Sequence, residues 1–315
     1  MDKTFDISVI IPFYNEEENI IELCSILDTF NLQLSNEGIS CEIILIDDGS
    51  KDSSLRLLLD KKNSLNFVCK VIKLSKNFGS HSAIRAGILN SRGIYTTILS
   101  SDMQEPIDLV HNLYKTCKKG FDIVYAKRNK VEVEIVSKIF SKIYSSLVKI
   151  FIFKDFPKNG LDIVMFNEKV KNVFNKSVES NSNYILQLLS LGFIYTFIDY
   201  EKTNRKKGKS KWKLANKLKL IVDSFISFSY LPIRFVSIIG VLFFLSGIMW
   251  TTYIILRKLI VGDLASGWPT LISILLLGFG ITNISLGIVA EYLWRTLDVS
   301  RNRPIFIIDE IIELT

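Results

Sequence analysis

Three clusters of polar and acidic residues each follow a short apolar stretch in the first half of the chain. They occupy residues 12–18, 47–50 and 100–106. Grouped carboxylates suit a divalent cation, because Mg²⁺ and Mn²⁺ prefer oxygen ligands and neutralise the charge of a diphosphate. Asp102 is the strongest candidate for such a ligand. Any one of these acids can instead be an exposed loop carboxylate, and Asp48 with Ser50 can cap a helix that starts near Asp52.

The stretches that precede these clusters have the composition of β-strands. Residues 7–13, 42–46, 68–74, 95–99 and 121–125 are rich in Val, Ile, Phe and Tyr, and helix-length segments separate most of them. This rhythm predicts an α/β fold with a mostly parallel, Rossmann-like sheet and helices on both faces. Ligands of such sheets bind beyond the carboxyl ends of the strands, so the three clusters are expected at one edge. No G-x-G-x-x-G follows the first strand, which disfavours a dinucleotide-dependent redox function.

Two long uncharged runs characterise the second half of the chain. The first covers 22 residues, 235–256, and the second covers 27 residues, 264–290. As helices, both are long enough to cross a hydrocarbon core of about 30 Å. They predict an all-α transmembrane hairpin with helices at about 235–256 and 268–292. The alternative is a pair of buried core helices.

The positions of the basic residues predict how this hairpin is oriented. Eight Lys and Arg lie between residues 205 and 219 and three follow the second run, whereas the connecting loop has two. Because positive residues accumulate on the cytoplasmic side, both termini are expected there. No N-terminal signal peptide is recognisable, so the first domain is expected at the cytoplasmic face of the inner membrane.

The overall charge agrees with a membrane-associated protein. The chain has 39 Lys and Arg against 32 Asp and Glu, a net charge of +7. The excess lies beside the apolar runs, so anionic lipid head groups are the expected partner and a nucleic acid is not. Four cysteines without C-x-x-C spacing and only two histidines give no zinc pattern, and reduced thiols are expected.

Two amphipathic segments are consistent with attachment to the membrane surface. Apolar residues recur at i, i+3 and i+4 from Val136 to Phe151, which predicts a helix at about 136–153. A second series lies in the juxtamembrane segment 213–234. Such helices can lie in the membrane interface or pack on the core of their own domain, and the spacing leaves both possibilities open.

Seven sequence blocks, taken in order, resemble the motifs of one enzyme family. They are VIIPFYNEEENI (9–20), LIDDGSKDSS (45–54), LSKNFGSHSAIRAG (74–87), SSDMQEP (100–106), RKKGKSKW (205–212), FSYLPIR (228–234) and EYLWRTLDVSRNRP (291–304). They resemble the family-2, GT-A-fold glycosyltransferases that act on polyprenyl phosphates, such as dolichyl-phosphate mannose synthases and undecaprenyl-phosphate glucosyl- and aminoarabinosyltransferases. The resemblance covers nearly the whole chain.

The resemblance implies roles for individual residues. Those that match the nucleotide-sugar-binding positions of the family are Pro12, Tyr14, Glu16 and Asp48, with Asp47 adjacent. Asp102 and Gln104 match its metal- and diphosphate-binding pair. Glu105 is expected to orient the acceptor or to support Asp102, unless it is simply a carboxylate at a helix N-terminus. Arg205, Ser210 and Lys211 are the candidates for binding the acceptor phosphate.

Three segments depart from the family pattern, and one of them, 181–184, lacks the usual basic residues. Most members have an Asp at the position of Ser100, so the D-x-D motif is incomplete here. The segment 160–164 also lacks the Arg of the family's G-D-F-R-L segment, with Val164 in its place. Metal affinity and substrate identity are the properties that these departures affect.

The resemblance implies a metal-dependent, inverting glycosyltransferase. One sugar would move from a nucleotide-diphosphate sugar, with a UDP-sugar as first candidate, to a polyprenyl phosphate such as undecaprenyl phosphate, for cell-surface glycan synthesis. The expected organisation is a cytoplasmic GT-A domain at 1–212, the juxtamembrane segment, transmembrane helices within 235–293 and a cytoplasmic tail at 294–315. Small residues in the second run would allow a homo-oligomer. The alternatives are a processive polysaccharide synthase, a transferase to another lipid acceptor, and a degenerate, non-catalytic membrane adaptor.

Overall fold

The apolar runs of the first half form strands of an eight-stranded sheet. The computed structural model describes residues 4–102, 104–129, 135–176, 183–201, 224, 231–261, 267–300 and 304–314. The strands are β1 (Phe5–Phe13), β2 (Cys41–Asp47), β3 (Val68–Leu74), β4 (Gly93–Ile98), β5 (Ile123–Arg128), β6 (Leu161–Asn167), β7 (Tyr195–Tyr200) and β8 (Ile308–Glu313). All five predicted strands are confirmed, whereas β6, β7 and β8 were not predicted.

The α-helices of the described residues fall into two groups. Seven lie between or after the strands: α1 (Ile20–Asn36), α2 (Ser54–Asp60), α3 (Ser80–Leu89), α4 (Asp108–Cys117), α5 (Ile135–Phe151), α6 (Glu168–Lys176) and α7 (Tyr184–Ser190). Two longer ones follow, α8 (Leu231–Val261) and α9 (Trp268–Ser300). The amphipathic helix predicted at about 136–153 corresponds to α5. The juxtamembrane segment 213–234 lies almost entirely outside the described residues.

The sheet has the order β7-β5-β6-β4-β1-β2-β3-β8. Strand β1 pairs in parallel with both β2 and β4, β2 pairs in parallel with β3, and β5 with β7. The pairs β3–β8, β4–β6 and β5–β6 are antiparallel. The predicted α/β class is therefore confirmed, with a mixed sheet in which β4, β1, β2 and β3 form the parallel centre.

Helices cover both faces of this centre. On one face, α1 and α4 bury apolar side chains against alternate residues of the strands, with Leu27 and Leu113 fully enclosed. On the other face, α3 crosses the sheet at Gly87. A Cβ atom at Gly87 would lie 2.5 Å from Cγ2 of Ile10 and 2.9 Å from Cδ1 of Ile46. Only glycine allows the helix this close to the strands.

The chain divides into two units, Met1–Asp223 together with Pro304–Thr315, and Ser224–Arg303. In the second unit, α8 and α9 contact each other and expose large apolar side chains such as Phe235, Met249 and Phe279. Within the described part of the chain, no helix reaches the combination of length and apolar character that a membrane crossing requires. The transmembrane hairpin thus remains a prediction from the sequence.

Candidate active site

The strand order places a crevice between β1 and β4. From β1 the chain moves to β2 and β3 on one side, and it then returns to β4 on the other side of β1. Such a reversal of direction creates the crevice in which open α/β sheets bind ligands. The pairing of β1 with β4 ends at Ile10, whereas its pairing with β2 continues to Phe13. Pro12, which has no N–H, lies where β1 has lost its β4 partner.

The loops that follow β1 and β2 are joined by hydrogen bonds. Asn15, in the left-handed region with φ of 53°, donates its N–H to Oγ of Ser50 at 3.0 Å, and its Oδ1 accepts the N–H of Lys51 at 2.8 Å. The N–H of Glu16 is donated to Oγ of Ser54 at 2.7 Å. The structure therefore brings the first predicted cluster against the loop that contains the second cluster, through Asn15, and against the start of α2, through Glu16.

The Asp48 side chain binds the loop that follows β3. Its two carboxylate oxygens accept the N–H groups of Phe78 at 2.7 Å and Gly79 at 2.9 Å. Burial raises the pKa of Asp48 to about 6, and the Asp47 charge adds to this, although the two N–H groups act in the opposite direction. The alternative that Asp48 caps a helix is wrong, because α2 starts at Ser54, whose N–H binds Oδ1 of Asp52.

The turn after β2 requires a glycine. Gly49 has a φ of 70°, and a Cβ atom there would lie 2.5 Å from the carbonyl carbon of Lys76 and 2.7 Å from the nitrogen of Asn77. Asp47 closes the turn by accepting the N–H of Ser50 at 2.8 Å. The Asp47–Ser50 turn and the loop 75–79 therefore pack as one unit.

The third cluster lies at the end of β4. Asp102 and Gln104 are half-buried, and the N–H of Gln104 is 3.4 Å from Oδ1 of Asp102. Ser100 donates its hydroxyl to the Glu105 carboxylate, which is buried at 5% exposure. Since α4 begins only at Asp108, Glu105 is not a first-turn carboxylate of that helix. Among the described residues, no group of three or more His, Cys, Asp or Glu side chains is arranged to hold a metal ion.

A second polar network, which sequence reasoning missed, surrounds Asp162 at the start of β6. Arg128, the last residue of β5, binds both carboxylate oxygens through Nε and Nη2. The hydroxyl of Tyr200 lies 2.5 Å from Oδ2 of Asp162, and that of Tyr184 donates to the Asp162 carbonyl at 3.2 Å. Burial, followed by the negative charge of Asp162, raises the pKa of both tyrosines, and the charge of Glu105 contributes. Both hydroxyls are therefore hydrogen-bond donors at neutral pH.

Helix α7 connects this network to α3. The rings of His81 and Tyr184 lie 5.6 Å apart at a tilt of 54°. One turn further along, Arg85 donates to the side-chain oxygen of Gln187 at 3.1 Å and to the Phe174 carbonyl at 2.9 Å. Polar contacts therefore continue around the edge of the sheet, from the Asp48 loop through α3 and α7 to Asp162.

Comparison with known proteins identifies the family. The model of the family described as "Glycosyl transferase family 2" matches residues 8–180. The chain belongs to this family. An uncharacterized glycosyltransferase of Synechocystis sp. is 31% identical, over 98% of this chain and 96% of the relative. The undecaprenyl-phosphate 4-deoxy-4-formamido-L-arabinose transferase of Proteus mirabilis is 27% identical, over 99% and 95%. Mannosyl-3-phosphoglycerate synthase from Rubrobacter xylanophilus matches with a TM-score of 0.49 at 15% identity, covering 70% of this chain and 71% of its own.

In this family-2 glycosyltransferase, most of the predicted site residues lie at one edge of the sheet. Those that follow the carboxyl ends of β1, β2 and β4, or lie within the last residues of these strands, are Pro12, Tyr14, Glu16, Asp47, Asp48, Asp102, Gln104 and Glu105. Arg205, Ser210 and Lys211 lie outside the described residues. Arg128 and Tyr200, which were not predicted, end β5 and β7 at the same edge. The sequence signal that could have found them is that each stands at the end of a run of strand-forming residues.

Proposed function

We propose that this enzyme is an inverting glycosyltransferase that moves one sugar from a nucleotide-diphosphate sugar to a polyprenyl phosphate at the cytoplasmic face of a membrane. The observation that carries the proposal is the position of Asp102 and Gln104 at the β1–β4 crevice, opposite the joined loops after β1 and β2. The relatives named as undecaprenyl-phosphate transferases cover nearly the whole chain, which supports the same acceptor class.

The donor side of the site is built from the joined loops. Glu16 and Tyr14 follow β1 directly, and the Asp48 turn is fixed to the loop 75–79 through two hydrogen bonds. A nucleoside held against these loops would direct its diphosphate towards the end of β4. Because the loops are fixed to each other before the donor arrives, little conformational entropy is lost on binding.

The residues at the end of β4 fit a divalent cation. Asp102 offers a charged oxygen and Gln104 an amide oxygen, a hard donor set that leaves the other positions to phosphate oxygens and water. We propose that these two residues hold Mg²⁺ or Mn²⁺. When bound, the cation would neutralise the charge that develops on the departing nucleoside diphosphate.

The chemistry requires positioning more than proton transfer. A phosphate oxygen of the lipid is already anionic at pH 7, so it can attack the anomeric carbon without a strong base. The bond to the sugar forms as the bond to the diphosphate breaks, which inverts the anomeric configuration. Glu105 is held by Ser100 and buried, so its place is fixed within the loop that carries Asp102. The enzyme would act mainly through orientation and electrostatic stabilisation.

Attachment to the membrane is part of the proposal. The uncharged runs 235–256 and 264–290 supply two crossings, and the eight basic residues at 205–219 would lie on the cytoplasmic side near the acceptor phosphate. The sheet contains strands from before and after the helical unit, which is consistent with an even number of crossings. Helix α5 exposes Ile143, Ile150 and Phe151 beside two exposed lysines, as expected of an interfacial helix.

The test is a transfer assay with purified protein in detergent, Mn²⁺, undecaprenyl phosphate and a panel of UDP-, GDP- and dTDP-sugars. The expected product is the lipid with the added mass of one sugar residue. Asp102→Ala should abolish its formation. The control is Asp108→Ala, which replaces an exposed side chain on α4 and should leave product formation unchanged. A lipid bearing several sugars would indicate a processive synthase. Nucleotide release without a lipid product would indicate another acceptor, and no release with any donor would contradict the proposal.

A further inference from the structure

Strand β8 belongs to the sheet of the first unit, although the chain reaches it only after the second unit, Ser224–Arg303. Residues Pro304–Thr315 form part of the same unit as the first 223 residues. Strand β8 is antiparallel to β3, with register from Lys70 opposite Glu313 to Leu74 opposite Ile308. It is the last strand in the order of the sheet.

The contacts of β8 with β3 extend along the whole strand. At one end Leu314, which is 3% exposed, donates its N–H to the Cys69 carbonyl at 2.9 Å. Towards the other end, Nζ of Lys73 lies 2.6 Å from Oδ2 of Asp309. The register shifts between Lys73 and Leu74, so the pairing is irregular just before β3 ends. Strand β8 is thus anchored in the core at its far end and irregular near the site.

The irregular end of β8 meets the loop that holds Asp48. Ser75, the first residue after β3, donates its N–H to the Ile307 carbonyl at 3.0 Å. Three residues later the same loop presents the N–H groups of Phe78 and Gly79 to Asp48. The backbone between these points is the surface against which Gly49 packs. The loop 75–79 is therefore held by β8 at its start and by the Asp48 turn at its end.

We propose that β8 positions the donor-binding loop, so that nucleotide affinity depends on the pairing of β8 with β3. The inference rests on the proposed function, because it takes the Asp48 turn as part of the nucleotide site. A donor can bind tightly only where its loops are already in place. A strand that only closed the sheet edge would stabilise the fold and leave the nucleotide affinity of the folded protein unchanged.

A matched pair of proline variants tests this. N–H groups along an antiparallel strand alternate between facing the partner and facing away. Because the N–H of Leu314 faces β3, that of Glu310 does too, whereas that of Ile311 faces away. Both side chains are exposed, so the substitutions differ mainly in the ladder hydrogen bond. Glu310→Pro removes that bond next to the loop, and Ile311→Pro leaves it in place.

The experiment is calorimetric titration of the full-length protein in detergent with UDP, GDP and dTDP, each with MnCl₂, well below the melting temperature of every variant. For the nucleotide that the wild type binds, Glu310→Pro should weaken binding by about five- to tenfold, the size of one lost hydrogen bond. Ile311→Pro should stay within about twofold. Equal affinities in all three proteins would overturn the inference and leave the proposed function intact. A wild type that binds none of the three nucleotides would overturn both.

A second measurement is independent of whether Glu310→Pro folds. Hydrogen exchange of the wild type, with and without the nucleotide, should show added protection in peptides covering 75–79 and also in peptides covering 307–310. Protection confined to 75–79, or absent from both while the nucleotide binds, would overturn the inference.

Discussion

Replacing Ser100 by Asp would complete the D-x-D motif, and the structure predicts that this harms the protein. From the motif alone, the change would be expected to strengthen cation binding. In the fold, however, the Ser100 hydroxyl donates to the Glu105 carboxylate, and Glu105 is buried. Aspartate at this position would replace a hydrogen-bond donor with a second negative charge in contact with the first.

The size of the effect follows from the contact. Two like charges about 4 Å apart repel by about 4 kcal/mol at the effective dielectric constant of sites near a protein surface. Part of this is relieved by movement of the side chains. We therefore expect Ser100→Asp to lower the free energy of unfolding by about 2–3 kcal/mol at pH 7.5 relative to Ser100→Asn. Asparagine has the shape of aspartate and still offers a donor to Glu105.

The assay is thermal unfolding of the purified variants in one detergent, without and with MnCl₂. For a domain of this size, 2–3 kcal/mol corresponds to a Tm difference of about 5–10 °C between the Asp and Asn variants. Adding Glu105→Gln to Ser100→Asp should restore most of the loss, because it removes the opposing charge.

Two results together would refute this reasoning. The first is a Ser100→Asp protein as stable as Ser100→Asn, with no recovery on adding Glu105→Gln. The second is a larger stabilisation of Ser100→Asp than of the wild type by Mn²⁺. In that case Ser100 would mark a position from which a cation ligand has been lost, and its hydrogen bond to Glu105 would not affect stability.

Three further substitutions test other parts of the structure. Asp162→Asn leaves Arg128 with a neutral partner at a largely buried site, and should cost about 3 kcal/mol of unfolding free energy in denaturant titrations. Asp48 has a pKa raised to about 6 in the fold from a usual 3.8, so its ionisation opposes folding. Raising the pH from 4 to 7 should therefore destabilise the wild type by about 1–2 kcal/mol more than Asp48→Asn, measured by Tm against pH. Gly87→Ala forces a Cβ atom against Ile10 and should lower stability by about 1–3 kcal/mol in denaturant titrations, whereas a neutral or stabilising result would contradict the close approach of α3.

The parallel centre of the sheet could be predicted because local sequence determines it. Each of β1 to β4 is a short run of β-branched and aliphatic residues, and the three polar clusters follow three of these strands. The common position of the three clusters followed, since the carboxyl ends of parallel strands share one edge. The reversal of direction between β1 and β4 did not follow, because the order of strands in the sheet depends on how the helices pack.

The remaining strands and the Asp162 network could not be predicted because their contacts are remote in sequence. Strand β8 pairs with β3 across more than two hundred residues, and nothing in the sequence IDEIIE specifies that partner. Arg128 and Asp162 are 34 positions apart and meet only because β5 and β6 are antiparallel neighbours. The sequence analysis noted only that the segment 160–164, which contains Asp162, departs from a family motif. The ion pair of Asp162 with Arg128 can be derived only from the register of the two strands.

The charges at the site edge explain why the proposed reaction needs both a divalent cation and the basic segment 205–219. Asp48, Asp102 and Glu105 lie on loops at this edge, and Arg128 is bound to the Asp162 carboxylate. Together these five residues bring one positive charge against four carboxylates. A nucleoside diphosphate and a lipid phosphate are both anions, so this set alone would repel them. A divalent cation at Asp102 and Gln104 and the basic segment 205–219 would each offset part of that repulsion, at the donor and the acceptor respectively. In the proposed reaction, this charge balance would account for both an acidic sheet edge and a strongly basic segment in one chain.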